Sequence, residues 1–101
     1  VQTQSQSRAD ALIAQYIEEH PRKVGKDEVW LKEHHISVWA IVGTWKGRRG
    51  DANAVAYEYD IPIEAVEAAL AYYTQNTAVI DNRRAQNYPP EYDDYAAAHR
   101  D

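Results

Sequence analysis

The stretch from Val55 to Leu70, VAYEYDIPIEAVEAAL, limits the fold more tightly than any other part of the chain. Two helical apolar faces meet at Asp60-Ile61-Pro62. A proline cannot continue the preceding helix, and it drives the residue before it into extended backbone. Asp60 belongs to the small group of residue types that tolerate left-handed geometry. Upstream, Asp51 stands where an N-cap is needed, and Val55, Ala56 and Tyr59 share one face. Downstream, Val66, Ala69/Leu70, Tyr73, Thr77, Ile80 and Arg84 hold one face for about six turns, with Pro62 expected at the first helical position. That helix is expected to run to about Ala85 with a kink near Asn76-Thr77. The pattern predicts two helices nested across a short turn: Ala56 lets the axes approach, Asp60 bends the backbone, and Val66 locks the second helix.

This is the spacing of a helix-turn-helix. Its surface chemistry is less suited to DNA. With Val66, Leu70 and Tyr73 inward, the second helix presents Ile63, Glu64, Glu67, Ala68, Ala71 and Gln75. Base-reading helices carry Arg, Lys, Asn or Gln near their start; here Glu64 and Glu67 occupy that place, and Gln75 lies at the far end. Charge is also divided along the chain. Residues 1–50 hold eight Lys/Arg and six Asp/Glu, and residues 51–101 hold three and ten, for a net charge of −5. The densest basic patch, Lys46, Arg48 and Arg49 in KGRRG, is either a phosphate grip or a cationic helix end offsetting the dipole. Two readings therefore stay open: a DNA-binding motif contacting DNA through Lys46, Arg48, Arg49 and Gln75, or a helical hairpin used for packing.

Around this centre, residues 1–7 (VQTQSQS) read as a disordered polar tail. SRADALIAQYIEEH then puts Ala9, Leu12, Ile13, Tyr16 and Ile17 on one helical face, with Ser7 and Asp10 resembling a capping box and His20-Pro21 closing the helix. The run at Val29, Trp30, Leu31 and Lys32 reads as one short strand, or a small hairpin turning near Gly25-Lys26. Val38, Ile41, Val42 and Trp45 repeat at helical spacing behind Ser37 as N-cap, and Gly47 and Gly50 end that helix. Residues 88–101, NYPPEYDDYAAAHRD from its second residue on, form an acidic, tyrosine-bearing tail. The expectation is a single helical domain over residues 8–87: mainly all-α, with four principal helices and a short strand or hairpin.

ISVWAIVGTW, VAYEYDIPIEAVEAALAYYTQN and VIDNRRAQN together resemble the bacterial domain-of-unknown-function 433 family, whose members are described as VapB-type antitoxin-like with a homeodomain-like helical fold. The similarity covers roughly Pro21 to Asn87, and the tyrosine pair followed by IDNRR is its most specific part. The resemblance implies a small antitoxin that binds a PIN-like ribonuclease toxin and represses its own operon, with Arg83 and Arg84 reaching the acidic metal site of that nuclease. This chain departs from the pattern at Glu33-His34-His35, where the family usually has Gly-Thr-Arg, so one basic residue is missing. The N-terminal helix and the acidic tail are additions.

Trp39 falls off the Val38/Ile41/Val42/Trp45 stripe, and Trp30 alternates away from Val29 and Leu31. Both point to a second apolar surface, to be filled by a homodimer partner, by another protein or by the chain's own N-terminal helix. Tyr92 and Tyr95 in the tail are further candidate anchors for a partner. The chain has no cysteine, no phosphate-cradling glycine loop and no histidine pair at metal-ligand spacing, so neither an enzyme nor a cofactor or metal site is expected. His34-His35 beside Glu33 diverge too much to bind a metal together. No apolar run approaches the roughly 20 residues of a membrane helix. A cytoplasmic protein without a membrane role is the expectation.

Overall fold

The computed structural model describes residues 2–87. The tail 88–101, with Tyr92 and Tyr95, lies outside the described residues. The fold is mainly helical: α1 (Gln2–Tyr16), α2 (Val38–Gly47), α3 (Ala52–Tyr59), α4 (Ile63–Gln75) and α5 (Thr77–Asn87), with two-residue strands β1 (Ile17–Glu18) and β2 (Trp30–Leu31) and a 3-10 turn at Lys26–Glu28. Among the described residues no helix is long and apolar enough to cross a membrane.

The turn between α3 and α4 is built as its residues require. Asp60 adopts φ 57°, ψ 51°. The Ile61 N–H donates to the Ala56 carbonyl at 3.0 Å, and the Asp60 N–H to that of Tyr57 at 3.2 Å. These are the two bonds of a Schellman closure, and the apolar contact that accompanies such a closure falls between Ala56 and Ile61, both buried. Asp51 caps α3 through its side chain, which accepts from the Ala54 N–H at 3.1 Å. Pro62 sits one residue earlier than expected: it is the extended N-cap of α4, and Ile63 opens the helix. The end of α2 repeats the device. Arg49 takes φ 58°, and the Gly50 N–H reaches the Trp45 carbonyl at 2.8 Å.

Helix α1 differs from expectation at both ends. It begins at Gln2, inside the stretch expected to be disordered, so Ser7 lies within the helix and forms no capping box with Asp10. Adding a turn to a helix already nucleated by its amphipathic half costs little, and Gln is a fair helix former. The helix stops at Tyr16 rather than at His20-Pro21, because Ile17 and Glu18 leave it to pair with Leu31 and Trp30. The expected strand at Trp30-Leu31 therefore exists, but its partner is the chain just after α1; Gly25-Lys26 lie within the connection between the two strands. The other edge of β2 is covered by the residues that follow it. The Leu31 N–H donates to the Ile36 carbonyl at 2.9 Å and the Val38 N–H to that of Val29 at 3.1 Å.

The expected kink near Asn76 is a full break, which makes five helices of the expected four. Asn76 leaves helical geometry at φ −137° and its side-chain amide bonds the Tyr72 carbonyl at 3.1 Å. Such side-chain bonds give the backbone an alternative to continuing the helix. The break turns α5 back so that Ile80 enters the core. One cluster results, with Leu31, Val38, Ile41, Val42, Val55, Val66 and Ile80 fully buried, each such side chain worth about 1.5–3 kcal/mol relative to exposure.

One face was misassigned by periodicity alone. Ala68, expected to point outward on α4, is fully buried, and Tyr72 rather than Tyr73 is the buried tyrosine. The cause is α1, which packs along α4. Arg8 pairs with Glu67 at 3.4 Å, and the Gln75 amide donates to Asp10 at 3.1 Å.

Ala56→Leu is expected to overfill the α3–α4 contact and cost about 1–3 kcal/mol, while Asp60→Gly relieves the left-handed position and gains about 0.5 kcal/mol. Thermal midpoints should move in opposite directions for the two variants, by about 4–8 °C per kcal/mol in a domain of this size.

Candidate partner interface and a neighbouring groove

Helices α2 and α5 and the 3-10 turn bring together residues far apart in sequence. The Arg83 guanidinium lies 4.7 Å from the Trp39 ring centroid, and its Nε donates to Glu28 Oε2 at 3.2 Å. Both members of this ion pair are largely buried, with side chains 13% and 18% exposed. A largely buried pair is sensitive to loss of either partner, because the survivor keeps its desolvation cost. Guanidinium over indole is a favourable cation–π arrangement. One turn of chemistry thus fixes the orientation of Trp39 on this face.

Arg84 crosses α2 at Gly43, where a Cβ would stand 3.6 Å from Arg84 Nε. That Nε is buried without a hydrogen-bond partner among the described residues. The guanidinium reaches Asp81 at 3.8 Å, and Asp81 also accepts the Tyr73 hydroxyl at 2.9 Å. Lys46 lies 5.4 Å from the Tyr73 ring centroid. A strip of two aromatic and three cationic groups therefore runs across α2, α4 and α5: Trp39, Arg83, Arg84, Tyr73 and Lys46.

The candidate DNA contacts differ in their surroundings. Lys46 belongs to the strip just described. Arg48 is occupied by Glu58, its Nε bonding Oε1 at 2.9 Å. Arg49 is exposed in the left-handed closing position of α2. Gln75 is at the C-terminal end of α4, held by Asp10.

Trp30 stands apart from Trp39. His20 lies 4.2 Å from its ring and His35 stacks at 4.3 Å with an interplanar angle of 14°. The Trp30 indole N–H donates to Glu18 Oε2 at 2.9 Å. Side chains of its own chain thus flank the ring, and His35 reaches it from a left-handed backbone position at φ 56°. No group of three or more metal-ligating side chains converges among the described residues.

A groove of about 460 Å³ is bounded by Ile13 of α1, residues 17–19 and 24–26, Val29 and Tyr72. Tyr72 reaches it from α4, its hydroxyl donating to the Lys26 carbonyl at 2.7 Å. Burial, and then the carboxylates of Asp27 and Glu19, raise its phenol above the ordinary value of 10.0. Neither Glu28 nor this groove was visible in the sequence, since both depend on how the 18–29 connection folds back. Gly43 was a readable sign: an isolated glycine inside a helix often marks a close approach.

No protein family, curated protein or solved structure matches the chain.

The buried form of Tyr72 is the neutral phenol. Its stabilising effect is complete below about pH 10 and is lost as pH rises through the higher folded-state value. Tyr72→Phe is expected to start about 1 kcal/mol less stable at neutral pH, through the lost hydrogen bond. Above pH ~10 it should lose stability less steeply than the parent, as denaturant midpoints measured across the alkaline range would register.

Proposed function

We propose that this protein is an antitoxin-like interaction module that binds a partner protein through the strip around Trp39, Arg83 and Arg84. The observation that carries the reading is Arg83 laid over Trp39 and anchored by Glu28. Such a pair presents a rigid aromatic and a guanidinium together, and Trp and Arg dominate the energetics of protein interfaces. Arg84, more exposed than Arg83 and paired only at 3.8 Å with Asp81, is the cation that an acidic partner surface would complement. The resemblance to the domain-of-unknown-function 433 family names the partner class, a PIN-like ribonuclease with its acidic metal site. A homodimer formed through the same strip is compatible with this reading, since antitoxins of this kind can present two such faces.

Operator DNA is the weaker half of the reading. The spacing of Ala56, Asp60 and Val66 suits a helix-turn-helix, but the face of α4 that would enter a groove carries Glu64 and Glu67 and is shared with α1. Ala68 is buried there, and Glu67 is paired with Arg8. Arg49, exposed on the loop before α3, is the best-placed remaining contact to phosphate.

Trp39→Ala and Arg84→Ala are each expected to weaken binding to a PIN-like nuclease by about 2 kcal/mol or more, measured by calorimetry on variants whose circular dichroism matches the parent. Arg48→Ala with Arg49→Ala should leave that binding unchanged. Undiminished affinity in the Trp39 and Arg84 variants would remove this surface from the interface. A low-salt gel shift with the protein's own upstream DNA, abolished by the Arg48/Arg49 double variant, would restore the DNA reading.

A further inference from the structure

The 3-10 turn at Lys26–Glu28 consists of three charged residues, none of them buried. It has no apolar side chain of its own to hold it against the helices. Gly25 precedes it at φ 128° and supplies no side-chain cap. Short 3-10 segments of this kind have poor hydrogen-bond geometry and contribute little stability by themselves. The position of the turn is therefore set by groups that reach it from elsewhere.

Three contacts do this. Behind the turn, Val29 is buried and its carbonyl accepts the Val38 N–H at 3.1 Å. At the front, the Tyr72 hydroxyl donates from α4 to the Lys26 carbonyl at 2.7 Å. In between, the Glu28 carboxylate takes the Arg83 Nε–H of α5 at 3.2 Å. Lys26 and Glu28 belong to one closed turn, in which the Glu28 N–H bonds the Gly25 carbonyl at 3.2 Å, so the two move together. Tyr72 is buried in the core and gives the turn a fixed point. Arg83 lies 4.7 Å from the Trp39 ring centroid. Because its ion pair is largely buried, the guanidinium follows the carboxylate rather than exchanging it for water. An unbroken series of contacts thus leads from Tyr72 through the turn to the indole.

We infer that the 3-10 turn carries the position of Tyr72 to the Trp39–Arg83 strip, so that Tyr72 and Glu28 are positioning residues for partner binding. The role in binding rests on the reading of that strip as a partner surface; the link itself is a property of the free protein. Without the Tyr72 hydroxyl the front of the turn is released. Glu28 then holds Arg83 less firmly, and the guanidinium spends more time away from the indole. A partner must restore that arrangement on binding, and the ordering cost lowers its affinity.

The test follows hydrogen exchange of the Arg83 Nε proton by nuclear magnetic resonance in the full chain, in the parent, Tyr72→Phe and Tyr59→Phe. Tyr59 is the matched comparison, because its hydroxyl shares a hydrogen bond with that of Thr44 at 2.9 Å, outside the turn. Exchange at Arg83 is expected to be about fivefold faster in Tyr72→Phe, the effect of one lost hydrogen bond on a local opening, and unchanged in Tyr59→Phe. Equal rates in the parent and Tyr72→Phe would overturn the link. So would the same acceleration in both variants, which marks general loosening. Affinity for a PIN-like nuclease should fall about threefold in Tyr72→Phe, with no further loss when the change is added to Glu28→Gln. Where Trp39→Ala does weaken that binding, unchanged affinity in Tyr72→Phe, or a loss that adds in full to that of Glu28→Gln, would overturn the positioning role. Failure of Trp39→Ala to weaken binding would instead remove the partner reading, and the exchange rates of the free protein would still decide the link. They also decide it if Glu28→Gln fails to fold.

Discussion

The bond from the Ile61 N–H to the Ala56 carbonyl, at 3.0 Å, is the constraint on which the rest of the structure depends. It closes α3 with Asp60 in left-handed backbone and sends the chain into α4 within three residues. The closure works because Ala56 is small enough for α4 to approach and because Ile61 and Val66 bring apolar surface to the contact. Once α3 and α4 are fixed at this corner, α2 has a surface on which to bury Val38, Ile41 and Val42, and α5 can return over α2 after the break at Asn76. The corner is short-range in sequence, whereas the core it organises is not.

A second join, between β1 and β2, decides what that core can show to its surroundings. Two residue pairs are a slender sheet, and sheets this small need packing against helices. The ladder is supported by Ile17 and Leu31, which are buried beneath it, and by the residues after β2 that bond its other edge. Its consequence is disproportionate to its size. By tying the end of α1 to the core, it aligns α1 with α4. The same connection folds the 3-10 turn into place, so that Glu28 meets Arg83 and the Lys26 carbonyl meets the Tyr72 hydroxyl.

Local signals were legible wherever the reason for them was local. The caps at Asp51 and Asp60, the helix behind Ser37 and an irregularity near Asn76 all follow from the conformational preferences of single residues or of one helical turn, although that irregularity was expected as a kink and is a full break. The strand at Trp30-Leu31 was legible too, but not its partner, because Ile17 continues the helical periodicity of α1 and leaves it only to gain the ladder. Ala68 was read as outward for a similar reason: a helix covered on two sides has no single apolar stripe, and alanine is compatible with either environment. At the candidate interface, the off-stripe position of Trp39 and the paired arginines were apparent. Glu28 was not, since an acid 55 residues away from Arg83 carries no pattern that points to it.

The sequence by itself therefore determined the helical class, the helix behind Ser37, the start of α3 at Asp51 and the corner at Ala56–Asp60–Val66, because these rest on propensity, capping and backbone sterics acting within a few residues. Tertiary structure alone decided that α1 lies on α4, that Trp30 is flanked by His20 and His35 while Trp39 is set beside Arg83, and that a groove opens at Tyr72. Those outcomes depend on which apolar surfaces find one another after the helices exist, and burial has no direction along the chain from which it could be read in advance.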